Sequence, residues 1–509
     1  MPSADNKRIV QNTVFLYLRM ALIMVVQLYM SRIVLDKLGQ DAYGIYNVIG
    51  GLVVILSFIN GAMVATTQRF LSYELGRGDY DKLRLTFSQS IYAHIVIAVI
   101  FIVVSESVGI WFLNTKMTIS PELLSSANWV FQCSVFSFVI SLLQIPFGAL
   151  ITAHERMDIY AYISIFEVLT KLGIAFAIGA FSTDIRLKWY ALLILGATLI
   201  INLCYIVFCR IKFKETRLVS KIDKQIFKSL TQFAGWSIFG SLAWLGKNQG
   251  VNVVLNIFLG TAINAAYGVA MQVNIAISSF VRNFIMSVNP QIVQSYAAGN
   301  YQRTNALMLA GSRISFMLLF LLVFPISIVI NDILSIWLVQ VPQYTGIFVR
   351  LILTITLCES FTHVMEIAIQ ATGKVKIYQI VIGITLLLNL PLSYMCLKLG
   401  YQPYYVMICG IVIELIALLE KLLILRHQVE DFQMMHFIKS TIVPSFMVTV
   451  SALLTYFFVI NIIEIYSWII KAVIALSIAS CAELLFGVTR EERCKILSFL
   501  RILKQKWIK

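Results

Sequence analysis

Charge is what this sequence has little of. Asp, Glu, Lys and Arg supply 13% of its 509 residues, while 59% are hydrophobic; soluble domains run near a quarter charged and half apolar. So few polar side chains could not cover a water-soluble chain of this size. Nine prolines and 26 glycines, against 12% aromatics, exclude a disordered chain. The eight cysteines (Cys133, Cys204, Cys209, Cys358, Cys396, Cys409, Cys481, Cys494) lie in apolar runs or in the basic C-terminal tail. None forms a C-x-x-C pair, so neither a zinc site nor a disulfide framework is indicated. H-E-x-x-H and an ATP-binding cassette are also absent. Thr372-Gly373-Lys374 superficially suggests a phosphate loop, but Ala368 stands where the first Gly belongs and Val375 where Ser or Thr belongs. Transport by such a chain would be driven by gradients or by downstream consumption.

What is present is length in apolar runs. A membrane-spanning helix needs about 20 mostly apolar residues. Runs of that kind fall at roughly 12–34, 43–67, 86–113, 127–152, 159–181, 189–209, 231–258, 264–290, 306–330, 345–371, 377–397, 402–425, 440–461 and 467–487. The chain therefore reads as an all-α polytopic membrane protein with about 14 transmembrane helices. The first run is long, with no small-residue cleavage site after a short apolar region, and reads as a retained helix. Connections are short and leave no room for a soluble catalytic domain.

The formal charge of +15 is topological. With 14 spans both termini share one side, and that side's loops and termini hold 26 Lys and Arg against five opposite. Positive charge stays inside on insertion, so both termini are expected in the cytoplasm. The stretches 210–228 and 490–509 could also rest on anionic lipid. Nucleic acid is not an expected partner.

The sequence repeats itself. Leu38-Gly39 with Tyr43-Gly44 matches Leu259-Gly260 with Tyr267-Gly268. Ser72-Tyr73 with Gly78-Asp79-Tyr80 matches Ser295-Tyr296 with Gly299-Asn300-Tyr301. Ala153 with Ile159-Tyr160 matches Ala371 with Ile377-Tyr378. The offset stays near 220 residues, or six spans. Two six-helix lobes in parallel repeat plus two C-terminal helices follow: a first lobe at 1–209, a basic cytoplasmic linker at 210–230, a second lobe at 231–426, and the last two helices with a basic tail at 427–509. A cavity opening alternately to each side is expected between such lobes.

Ionisable groups at bilayer depth are costly and usually face a cavity or a partner. Arg19, Lys171, Lys247, Arg282 and Arg313 lie well inside spans, whereas Arg32, Arg350, Lys421 and Lys471 lie nearer span ends and read as snorkelling. The seventh span adds Asn248, Asn252 and Asn256 at i, i+4, i+8, and the eighth adds Gln272 near the face of Arg282. Helix packing accounts for the amides but poorly for central cations, so a wet cavity holding an anion is favoured. Substrate contacts are expected from Arg19, Lys247, Arg282, Arg313, Asn248, Asn252 and Gln272. Glu167 and Lys171, at i, i+4, are placed to pair. Glu359, His363 and Glu366 share one face of the tenth span. They could serve either as counter-ions or in H+ or Na+ coupling, as could Glu167 and Lys171; Glu414 is a further acid in a span. No resident cofactor or metal is expected.

The motifs Arg32-Ile-Val-Leu-Asp-Lys-Leu-Gly39 with Tyr43-Gly44-Ile-Tyr46, Asn289-Pro290-Gln291, and Ala371-Thr-Gly-Lys374 resemble those of the multidrug/oligosaccharidyl-lipid/polysaccharide (MOP) exporter superfamily. Within it the chain is most similar to flippases for O-antigen and capsular polysaccharide repeat units. That resemblance implies a transporter, not an enzyme, in a bacterial cytoplasmic (inner) membrane. It would move undecaprenyl-diphosphate-linked oligosaccharide to the periplasmic leaflet, with membrane lipid and a polysaccharide polymerase machinery as further partners. It also implies arginines on the first and eighth helices, which Arg19 and Arg282 match by helix. A drug/cation antiporter of the same fold would typically carry a carboxylate deep in the first helix or early in the second lobe. Arg19 and Lys247 occupy those helices instead. A peptidoglycan-precursor flippase is the other alternative.

Overall fold

The computed structural model describes residues 4–39, 42–46, 49, 57–115, 121–338, 340–463, 467–489 and 493. Lipid offers no hydrogen bonds, so a spanning chain satisfies its backbone within helices, and every regular element described is helical. They are α1 (Ala4–Leu38), α2 (Ser57–Arg77), α3 (Tyr80–Val104, continuing through a π-turn to Thr115), α4 (Pro121–Ala153), α5 (Met157–Ala177), α6 (Thr183–Lys212) and α7 (Lys224–Ala297). There follow α8 (Tyr301–Trp337), α9 (Thr345–Thr372), α10 (Val375–Leu387), α11 (Asn389–Lys398), α12 (Tyr405–Gln428), α13 (Val443–Ile463) and α14 (Trp468–Ala482).

Eleven described helical stretches are long and apolar enough to cross a membrane. The expected spans 43–67, 231–258 and 402–425 are not among them. The first of these lies partly outside the described residues. The other two are helical but polar: α7 carries Lys247, Asn248, Gln249, Asn252 and Asn256, and α12 carries Glu414, Glu420 and Lys421. The expected break between the seventh and eighth spans is a single residue, Gly260, at φ 77° and ψ −172°. α7 is thus two helices joined without a loop.

The chain forms two compact units, residues 1–242 with 293–299, and 243–292 with 300–509. The first packs α1 on α5 and α4 on α2 and α6; the second packs α9 on α8 and α12, and α8 on α14. The repeat is visible in the backbone. Gly39 and Gly260, Gly78 and Gly299, and Glu155 and Gly373 form three matched pairs, and all six residues adopt positive φ. Asp79 and Asn300 also match, each capping its helix by accepting a backbone N–H three residues on, from Lys82 and Arg303, at 3.0 Å.

The basic linker is docked on the first unit. Arg84 Nε donates to the Arg217 carbonyl (2.8 Å), the Val219 N–H to Ser88 Oγ (3.0 Å), Tyr92 OH to the Val219 carbonyl (3.0 Å) and Gln89 Nε2 to the Lys221 carbonyl (3.0 Å). These side chains satisfy a segment that has no ladder of its own. Phe213 stacks on the His154 ring at 4.2 Å, and His154 Nε2 lies 2.5 Å from Glu215 Oε1. Burial pushes the Glu215 carboxyl up, but the bonds to His154 and to its own backbone outweigh burial and hold it below its ordinary value. Its ionised form therefore stabilises the docked linker at neutral pH. That contribution is lost as pH falls through the carboxylate range, near 4.

Two outcomes are expected. Glu215→Gln should increase proteolysis of the linker at pH 7, with the difference from the parent vanishing below about pH 4. A Cβ on Gly76 would sit 2.6 Å from Gln294 Cα, so Gly76→Ala should lower the melting temperature in detergent further than Gly78→Ala. The latter position is open and incurs only the left-handed backbone cost of about 1–2 kcal/mol.

Candidate functional site

The second unit buries a charge cluster contributed by three helices. Lys247, on the first half of α7, is 5% exposed, and Glu414, on α12, is 3% exposed. Lys247 Nζ donates to Glu414 Oε1 and lies 3.7 Å from Glu359 Oε1, on α9. Lys421, one further α12 residue, is buried at 7% and within Coulombic range of both carboxylates. The sequence reading placed Lys421 at a span end, snorkelling; burial beside two acids replaces that reading. Around the cluster, Asn274 Oδ1 accepts from Thr356 Oγ1 (2.5 Å) and Ser278 Oγ (3.2 Å). Tyr267 OH donates to the Asn248 carbonyl at 3.4 Å. Asn389, at the break between α10 and α11, is buried with an unbonded Oδ1. These groups enclose a cavity of about 50 Å³ bounded in part by Lys247, Asn248, Tyr267, Asn274, Glu359 and Asn389.

The other residues singled out from sequence separate from this cluster to differing degrees. Arg282 is exposed on α7, with Nη2 3.4 Å from the Ile275 carbonyl and Glu359 within Coulombic range. His363 is within Coulombic range of Lys421, Glu414 and Arg282. Glu366, by contrast, accepts from Gln370 Nε2 at 3.0 Å and sits beside Tyr378. The Glu359–His363–Glu366 face is therefore split between two neighbourhoods. Asn248 turns its Nδ2 back to the Trp244 carbonyl (3.1 Å), Asn252 is half-buried, and Gln272 is exposed. Arg313 is buried on α8.

In the first unit Arg19 lies 4.8 Å above the Tyr160 ring, with its Nε buried and without a hydrogen bond. Glu167 Oε1 accepts from Lys171 Nζ at 2.6 Å, the pairing that their spacing suggests. Lys171 also lines a cavity of about 240 Å³ with Ser134, Ser137, Phe138, Ser141 and Thr198. This cavity is the repeat-mate of the one in the second unit. The offset of 218 that carries Tyr160 to Tyr378 carries Ser141 to Glu359 and Lys171 to Asn389. Ala191 and Ile194 correspond to Met407 and Gly410, which carries Thr198 to Glu414. Ser141 and Thr198 thus stand where Glu359 and Glu414 stand in the other unit, while Lys171 stands where Asn389 does.

No family model matches the chain. An uncharacterized membrane protein, EpsK, of Bacillus subtilis (strain 168) is 21% identical over 297 residues, or 55% of this chain, and the match spans 58% of that relative's length. Among solved structures, a MOP superfamily transporter from Pyrococcus furiosus is similar at TM-score 0.70 and 12% identity, over 84% of this chain and 96% of its own. A multidrug resistance MATE family transporter in an outward-facing conformation gives 0.72 and 13%, over 84% and 96%. The MATE transporter ClbM in complex with Rb+ gives 0.70 and 15%, over 86% and 97%. The chain therefore has the fold of MATE-like, multi-pass membrane transporters of the MOP superfamily.

Removing one partner from a buried ion pair costs about 3–5 kcal/mol, because the other charge is left uncompensated. Thermal unfolding in detergent should rank Glu414→Gln as more damaging than Glu359→Gln, since Glu414 is the more buried and makes the direct bond to Lys247. Equal losses would place Lys247 midway between the two acids.

Proposed function

We propose that this protein is a flippase. It moves undecaprenyl-diphosphate-linked oligosaccharide from the cytoplasmic to the periplasmic leaflet of a bacterial inner membrane by alternating access, with both termini in the cytoplasm. The observation that carries this reading is the distribution of charge. Among the described residues, three acids within the helices stand beside lysines, Glu167 beside Lys171, and Glu359 and Glu414 beside Lys247. Arg19 has a π-face, not a carboxylate, against its guanidinium, and Arg282 is exposed. A transporter with these acids beside lysines, and with Arg19 against a ring instead of a carboxylate, suits a diphosphate, whose oxygens accept charge-assisted hydrogen bonds. Lys247 holds an acid pair instead of a head-group in this reading, while Arg19, Arg282 and Arg313 remain the proposed contacts. The supply of finished lipid-linked sugar and its removal by a polymerase would drive net movement.

The multidrug reading is favoured by one observation, the likeness to a multidrug resistance MATE family transporter. The Rb+ held by ClbM likewise raises alkali-ion coupling as a property to test in this chain.

Reconstituted protein should translocate a labelled polyprenyl-diphosphate oligosaccharide. Arg19→Ala and Arg282→Ala, each checked for folding, should reduce the rate tenfold or more, because a hydrogen bond to a charged group contributes about 1.5–3 kcal/mol. Export of organic cations by a parent that moves no lipid-linked sugar would instead establish the antiporter.

A further inference from the structure

We infer that Lys247 is a tethered counter-cation: its ammonium occupies the position between Glu359 and Glu414 that an exchangeable sodium ion would need, so this unit holds no metal ion in the parent chain. Three observations support this. The first is occupancy. Lys247 Nζ bonds Glu414 and stands 3.7 Å from Glu359, so its ammonium lies against both carboxylates. A hard cation that takes several oxygen ligands in direct contact would have to displace the lysine.

The second is charge closure. Glu359 and Glu414 face two lysines, Lys247 and Lys421, with Arg282 also in Coulombic range of Glu359. Two acids and two ammonium groups are already balanced, and a further cation buried among them would be uncompensated. The third is the repeat. The mates of Lys247, Glu359 and Glu414 are Val26, Ser141 and Thr198. All three positions are neutral in the first unit and all three are charged in the second. The lysine and its acids therefore occur as a set, and with Lys421 beside them the group is neutral.

The consequence is an exchange of roles. The sequence left open whether Glu359 couples transport to an ion or serves as a counter-ion; the geometry makes it, with Glu414, a counter-ion of a lysine. Taking away the ammonium should convert the same oxygens into a site for a monovalent cation.

The test measures binding of radiolabelled sodium to the purified full-length chain in nanodiscs, independent of any transported substrate. The parent should show no saturable binding above a protein-free control. Lys247→Met, shown by size-exclusion chromatography to be folded, should gain saturable binding. Adding Glu414→Gln to it should abolish that gain. Saturable sodium binding by the parent that is lost in Glu359→Gln or Glu414→Gln overturns the inference, and this arm stands whether or not Lys247→Met folds. A folded Lys247→Met chain that binds no sodium also overturns it. Flippase activity enters neither arm, so failure here leaves the transport reading to its own assay.

Discussion

Each unit of this protein has to neutralise its own charge within a medium that will not solvate it. An isolated ion in lipid costs several kcal/mol, and the described ion pairs within the helices respect that limit. Glu167 and Lys171 do so on a single helix, at i, i+4. Lys247 and Lys421 do so for Glu359 and Glu414 across α7, α9 and α12. Arg19 uses the quadrupole of Tyr160, a weaker partner than a carboxylate. That difference separates the lysines paired with carboxylates from an arginine that meets a ring.

The repeat makes the contrast sharp. Matched positive-φ residues and matched helix caps give both units the same backbone punctuation. Onto that shared scaffold the sequence places Lys171 with several hydroxyls around a cavity of about 240 Å³ in one unit, and Lys247 with Glu359 around about 50 Å³ in the other. Packing cannot dictate both sets at equivalent positions.

Much of this was legible in the sequence. Most long apolar runs became membrane-length helices, because backbone satisfaction in lipid leaves few alternatives. The repeat could be read from Gly39/Gly260 and Gly78/Gly299, because a helix that ends in the left-handed region selects glycine. The i, i+4 spacing of Glu167 and Lys171 likewise gave their contact directly. Other features depend on distance in the chain and were not legible. Lys247 and Glu414 are 167 residues apart, and nothing local marks them as partners. Lys421 looked terminal because its burial comes from a neighbouring helix. The docking of 217–221 on α3 uses backbone carbonyls, which no side-chain pattern announces.

The central claim is that Lys247 and Glu414 act as one neutral unit, and a double-mutant cycle tests it most directly. Thermal stability would be compared for Lys247→Met, Glu414→Gln and the pair together, in the same detergent. If the two form a closed pair, each single variant strands a buried charge, and the double variant should recover much of the loss, with a coupling energy of about 0.5–3 kcal/mol. Additive losses would contradict the account, since they would mean that the two groups are solvated or compensated independently.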